Sequence, residues 1–174
     1  MNGWFLPNPD CANFKRADAD KGENGQSVGF IAQFGKFRLA DLGDLTSDRE
    51  YDLVCPANKL GAVDAFIVSH HGTASSNSAQ LLRALSPRAV VMENGAKKGG
   101  SPEVWQTLHD TPGLQDVWQL HFAVAGGKDH NAADSFIANT DEVCEGKWLH
   151  MTAMKDGSFT IENSRNQHQK TYAK

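Results

Sequence analysis

Two short loops hold the residue types in this chain that could do chemistry. One is Leu42-Gly43-Asp44-Leu45. The other is Ser69-His70-His71-Gly72-Thr73, followed by Ser75-Ser76-Asn77-Ser78. Each follows directly on a run that reads as a strand, and in open α/β sheets ligands gather outside the carboxyl ends of strands. A carboxylate at one strand end and an imidazole pair at another form a donor set for zinc, manganese or iron, and an aspartate can bridge two such ions. The flanking glycines allow a sharp turn and close backbone approach. Each motif also has a plainer reading. Asp44 precedes a helix signal and would serve as its cap, bonding the amides of Thr46 or Ser47. The histidine pair would serve as a polar surface pair.

The elements that must position these loops are legible from pattern. Residues 1–26 are polar and rich in turn formers, and read as an irregular lead-in. Residues 27–34 and 36–42 read as two strands of a hairpin turning at Gly35. Thr46 or Ser47 opens a helix that ends near Cys55, before Pro56. The apolar run 63–68 suits a strand buried on both faces. A helix over 76–85 stops at Pro87, and a buried strand follows over 88–92. Ser101-Pro102-Glu103 opens a further helix, with Ser101 as cap and Pro102 in the first turn. Residues 117–122 read as a strand. This alternation implies parallel strands joined by crossover helices. Residues 123–145 read as a long loop. Residues 148–154 and 158–161 form a hairpin around Asp156-Gly157, and 164–174 read as a polar tail.

Composition bounds the function. The 174 residues suit one domain, with 40% hydrophobic and 22% charged residues. The formal charge of −4 excludes a broad basic face for nucleic acid. No apolar run approaches the roughly twenty residues of a membrane span, and the first residues carry no secretory-leader pattern. Localisation is otherwise unassigned. No Asn-x-Ser/Thr acceptor occurs. The three cysteines, Cys11, Cys55 and Cys144, are too few and too widely spaced for a disulfide framework, so reduced thiols are expected, with a single bridge as the alternative. The tryptophans (Trp4, Trp105, Trp118, Trp148) are scattered, which favours core or rim packing over a base-stacking platform.

Read in order, Asn24-Gly25-Gln26-Ser27-Val28, Gly35-Lys36-Phe37-Arg38-Leu39, Gly43-Asp44-Leu45, Glu50, Val63 to Gly72, Ser75-Ser76-Asn77-Ser78 and Ser86-Pro87-Arg88-Ala89-Val90-Val91 resemble the second half of a metallo-β-lactamase-fold hydrolase. The branch most similar is the soluble domain of DNA-uptake (competence) channel proteins. The resemblance covers about residues 24–110. It implies half of an αββα sandwich: a mixed sheet with helices on one side and a C-terminal β-hairpin, spanning 27–163. It implies zinc or another divalent metal as cofactor, with Asp44 and His71 as ligands and His70 as the alternative to His71. It also implies hydrolysis of an ester, amide or phosphodiester, with nucleic acid as a candidate substrate.

The departures are specific. The family's His-x-His-x-Asp-His motif is absent, since no two histidines here are separated by one residue. Its further ligand histidine has no counterpart, and Ser101 stands where the competence branch often carries a histidine before Pro102. The chain is therefore expected to hold an incomplete site and to be inactive alone. A missing first half would complete it and cover a bare apolar sheet face; a homodimer that covers that face, or a fold that stands alone, are the alternatives. The competing reading is a non-catalytic half that acts as a binding or partner module. Asp44 and His71 should approach within roughly 3–7 Å, with His70 or His121 at the same rim. His121 ends a strand and would reach that cleft. Lys97, with Lys98, would meet a phosphate as a point charge. The plainer reading makes these three ordinary surface or neighbouring residues.

Overall fold

The computed structural model describes residues 6–174, so Trp4 lies outside the described residues. In chain order the elements are β1 (Leu6–Pro7), β2 (Phe30–Phe34), β3 (Phe37–Asp41), α1 (Ser47–Val54), β4 (Ala57–Asn58), β5 (Ala65–Ile67) and α2 (Ala79–Leu85). They continue with β6 (Ala89–Met92), α3 (Pro102–His109), β7 (Asp116–His121), β8 (Ile137–Asn139), β9 (Leu149–Ala153), β10 (Phe159–Asn163) and β11 (Gln169–Tyr172). The protein is α/β, with a six-stranded mixed sheet ordered β2-β3-β5-β6-β7-β8 and a three-stranded antiparallel sheet ordered β11-β10-β9. Among the described residues only β2 runs antiparallel in the large sheet.

The short apolar runs form its centre because alternate side chains feed two separate cores. Ala40, Phe66, Val90 and Met92 face the helices, which contribute Val54, Leu81, Leu82, Leu85, Val104 and Leu108. Phe37, Ala65, Ala89, Val91 and Trp118 face the other way, onto Phe159, Ile161 and Tyr172. Helices α2 and α3 begin where side chains satisfy their first amides. The Ser101 hydroxyl accepts from the Val104 amide and the Ser78 hydroxyl from Leu81.

Several expectations are corrected. The second face of the large sheet is not bare over β3, β5, β6 and β7: β9–β11 cover it there, and the outward side of that small sheet carries His150, Thr152, Thr160 and Thr171. The absent opposing sheet, the reason for expecting a covering half or dimer, is thus replaced by a layer from the chain itself. The tail is not a free segment, because Gln169–Tyr172 pairs with β10. Lys174 Nζ meets Asp64 Oδ1 at 2.9 Å and Arg88 Nη1 donates to the Ala173 carbonyl, and these two contacts clamp the end of that strand to the main sheet. The long loop holds β8, paired in parallel with β7. The lead-in contributes β1, paired with β4. Cys11 and Cys55 form a disulfide with Cα atoms 5.7 Å apart, so the single bridge holds instead of three thiols. Cys144 is free and exposed. No helix among the described residues is long and apolar enough to cross a membrane.

Candidate functional site

Strands β3 and β5 are parallel neighbours in which Asp41 pairs with Ile67. The loops that follow them therefore leave the same edge of the sheet side by side. The His70 amide donates to the Gly43 carbonyl at 3.0 Å and ties one loop to the other. The Gly43 amide donates to Asp41 Oδ1 at 2.9 Å and fixes the turn that presents Asp44. In this setting His71 Nε2 lies 3.7 Å from Asp44 Oδ1, with side-chain exposures of 30% and 39%. Asp44 is not the cap of α1. That position is Thr46, and the Ser47 amide donates to the Ser75 carbonyl at 2.9 Å.

The second nitrogen of His71 is held as well. Nδ1 lies 2.9 Å from the Glu93 carbonyl oxygen, an acceptor that holds a proton on Nδ1 and directs Nε2 toward Asp44. Histidines that bind metals are commonly oriented by a backbone carbonyl in this way. His70 is turned elsewhere. Its Nε2 faces Asn24 Nδ2 at 3.2 Å, and its Nδ1 faces the Ser75 and Ser76 hydroxyls at 3.2 and 3.4 Å. Both ring nitrogens are engaged, and the ring lines a separate cleft of about 540 Å³ with Asp18, Asp20 and Asp48. In that cleft burial raises the Asp48 carboxyl, but the Thr46 hydroxyl at 2.6 Å, the Asp20 amide and the Arg49 guanidinium outweigh it, so the carboxyl sits below its ordinary range.

The divergence of the two rings follows from the backbone. His70, His71 and Gly72 all adopt left-handed conformations, with φ of 52°, 56° and 77°. Only glycine takes this region without cost, and non-glycine residues held there mark sites where the surroundings impose the conformation. The imposing groups are identifiable. Glu50, fully buried, accepts from the Asn77 and Ser78 amides at 2.6 and 2.8 Å. The Asn77 side chain in turn accepts from the Ser69 amide and donates to the Ser69 carbonyl, both at 2.9 Å. Burial pushes the Glu50 carboxyl above its usual range, against those two amide bonds. On the far side the Gly100 amide donates to the His71 carbonyl at 2.9 Å. A Cβ at Gly99 would sit 1.9 Å from that carbonyl oxygen, so this approach needs glycine.

No protein-family model matches the chain, and no curated protein matches it.

The other expected residues do not join the pair. Among the described residues no third histidine, cysteine, aspartate or glutamate joins Asp44 and His71 to form a group that could hold a metal. His121 ends β7, two strands from β5, and its backbone is taken by Asn94, whose Nδ2 donates to the His121 carbonyl at 2.7 Å. Its Nδ1 is buried with no partner, and burial lowers its pKa. Lys97 is exposed and paired with Glu142 at 2.5 Å. The positioning carbonyl of Glu93 carried no signal in the sequence, since any residue supplies one. Glu50 did carry a signal in retrospect: a carboxylate at a helix position that faces the core needs a buried donor partner.

Proposed function

We propose that the chain is part of a metal-dependent hydrolase of the metallo-β-lactamase type, with Asp44 and His71 as the donors it contributes. The observation that carries this reading is the 3.7 Å approach of His71 Nε2 to Asp44 Oδ1 at the ends of neighbouring parallel strands. The orientation of His71 by the Glu93 carbonyl supports it further. Zinc suits a carboxylate and an imidazole, but a catalytic zinc keeps three protein donors and an open position. This chain supplies two, so the fit is partial and no chemical step is assigned to it alone. The remaining donors would come from a segment or partner carrying the histidine motif absent here. Once complete, such a centre supplies an activated water and polarises the substrate oxygen. A phosphodiester of nucleic acid is the proposed substrate class, on the resemblance alone.

The donor count also favours a second reading, a non-catalytic binding module of the same ancestry. Zinc titration followed by calorimetry tests the shared premise. The purified chain is expected to bind zinc weakly and to show little phosphodiesterase activity. Asp44→Asn and His71→Ala should each abolish the binding, whereas His70→Ala should leave it. Zinc uptake indifferent to Asp44 and His71 would remove the assignment of this rim as a metal site. Two tightly held ions per chain would overturn the incomplete centre. Activity gained when a polypeptide with the histidine motif is added separates the hydrolase from the binding module.

A further inference from the structure

The first strand of the large sheet is open to a partner. Among the described residues β2 pairs with β3 on one side only and ends the sheet on the other. Edge strands are ordinarily guarded by lysines, prolines or bulges. Residues 24–35 contain no charged residue and no proline. Apolar side chains stand exposed along this stretch, with Val28 at 89%, Phe30 at 54% and Phe34 at 47%.

The hairpin determines which backbone groups face outward. The turn Gly35-Lys36 joins the paired residues Phe34 and Phe37. A pair closing a two-residue turn exchanges both its hydrogen bonds, and the pattern alternates from there. Phe30, Ala32 and Phe34 therefore bond to β3. Ile31 and Gln33 direct their amides and carbonyls to the free edge. The sequence Phe30-Ile31-Ala32-Gln33-Phe34 is symmetric about Ala32 in its aromatic ends.

We infer that β2 pairs with β2 of a second copy, antiparallel about a two-fold axis at Ala32, joining the two large sheets edge to edge. In this register Ile31 of each copy exchanges both bonds with Gln33 of the other. Phe30 faces Phe34 of the second copy in non-hydrogen-bonded pairs, where side chains lie closest. Shifting the copies by two residues halves the bonds within β2 and sets one aromatic of each copy against Ala32, so that no aromatic pair forms across the axis. A two-fold contact of one surface with itself closes at the dimer.

The register makes a specific demand. Ala32 must face Ala32 of the second copy with Cα atoms about 4.5 Å apart, within the range of about 4.4–6.8 Å that a disulfide bridges. In a Cys144→Ser background, Ala32→Cys should therefore form an intermolecular disulfide under mild oxidation, whereas Thr152→Cys on the small sheet should not. Light scattering on the wild-type chain should show a mass rising with concentration from 18.9 kDa toward twice that value. Gln33→Pro removes two of the four bonds across the axis and leaves the ladder to β3 intact, so it should return the mass to one chain. Phe30→Lys, at an exposed position, should do the same if the proline variant fails to fold. A mass of one chain at every concentration, growth past the dimer, or no Ala32→Cys bridge would overturn the proposal.

Discussion

The rim around Asp44 and His71 and the face beneath β9–β11 belong to the same sheet, yet they are held in opposite ways. The rim is half-exposed, polar and left-handed in its backbone, and a few hydrogen bonds at Glu50, Asn77, Glu93 and Gly100 define it. The face is a closed aromatic packing. Phe159 stacks on Tyr172 at 4.6 Å and tilts against Phe37 at 5.4 Å, and the Arg88 guanidinium lies 4.9 Å from its ring. Trp118 Nε1 donates to the Tyr172 hydroxyl at 2.8 Å, which donates to Asp116 Oδ2 at 2.7 Å. Burial, with Asp116 adding to it, pushes the Tyr172 phenol well above its ordinary range. The contrast separates two tasks. Apolar burial on the covered face stabilises the sheet, and that stability allows a strained, weakly buried loop to persist at its end.

The largest effect should fall on the covered face. Phe159→Ala removes a ring in contact with Phe37, Tyr172 and Arg88, and should destabilise the protein by about 3–5 kcal/mol in urea unfolding. A cost below about 1 kcal/mol would mean that β9–β11 only drape over the sheet, and the contrast with the rim would disappear.

An intermediate effect is expected beneath the rim. Glu50→Gln keeps one acceptor but turns an amide group toward a backbone donor, at a cost of about 1–3 kcal/mol near pH 4. Its pH dependence is the sharper test. Burial raises the folded pKa of Glu50 above its ordinary 4.5. Its contribution to stability is therefore fully present below that value and is lost as pH rises through the folded pKa. The stability advantage of wild type over Glu50→Gln should shrink as pH climbs from about 4 toward neutrality. An advantage that grows over that window would reverse the assignment of burial as the dominant influence on this carboxyl.

The smallest effect, with the opposite sign, should come from the rim itself. His71→Gly relieves a left-handed non-glycine residue and should raise stability by about 0.5–1 kcal/mol while losing the Nε2 donor. Loss of stability in thermal unfolding would show that the His71 ring, through its bond to Glu93, supports the loop more than its backbone strains it.

Much of the scaffold was legible because it rests on local rules. The apolar runs ending near Ile67 and Met92 matched the two-sided burial of parallel strands. Ser101 marked a helix start, and Gly35 and Asp156-Gly157 marked turns, whereas the helix expected from residue 76 begins at Ala79 with Ser78 as its cap. β8 and β11 escaped notice because three residues of Ile137–Asn139 and the polar run Gln169–Tyr172 show too little alternation to stand apart from loop. Their pairing energy comes from partners distant in the chain.

The sequence by itself determined that Asp44 and the histidine pair follow strands of one parallel sheet, since strand-loop-helix alternation places every such loop at the carboxyl edge. It could not determine which histidine faces Asp44. That choice depends on three consecutive left-handed residues, on Asn24 and Ser75 holding His70, and on the Glu93 carbonyl holding His71. These contacts join segments far apart in sequence, and the backbone groups among them carry no residue identity. The same reason applies to the bridge between Cys11 and Cys55 and to the covering of the second sheet face. Local pattern encodes which residues need burial or a partner, but only the closed tertiary packing decides which distant group supplies it.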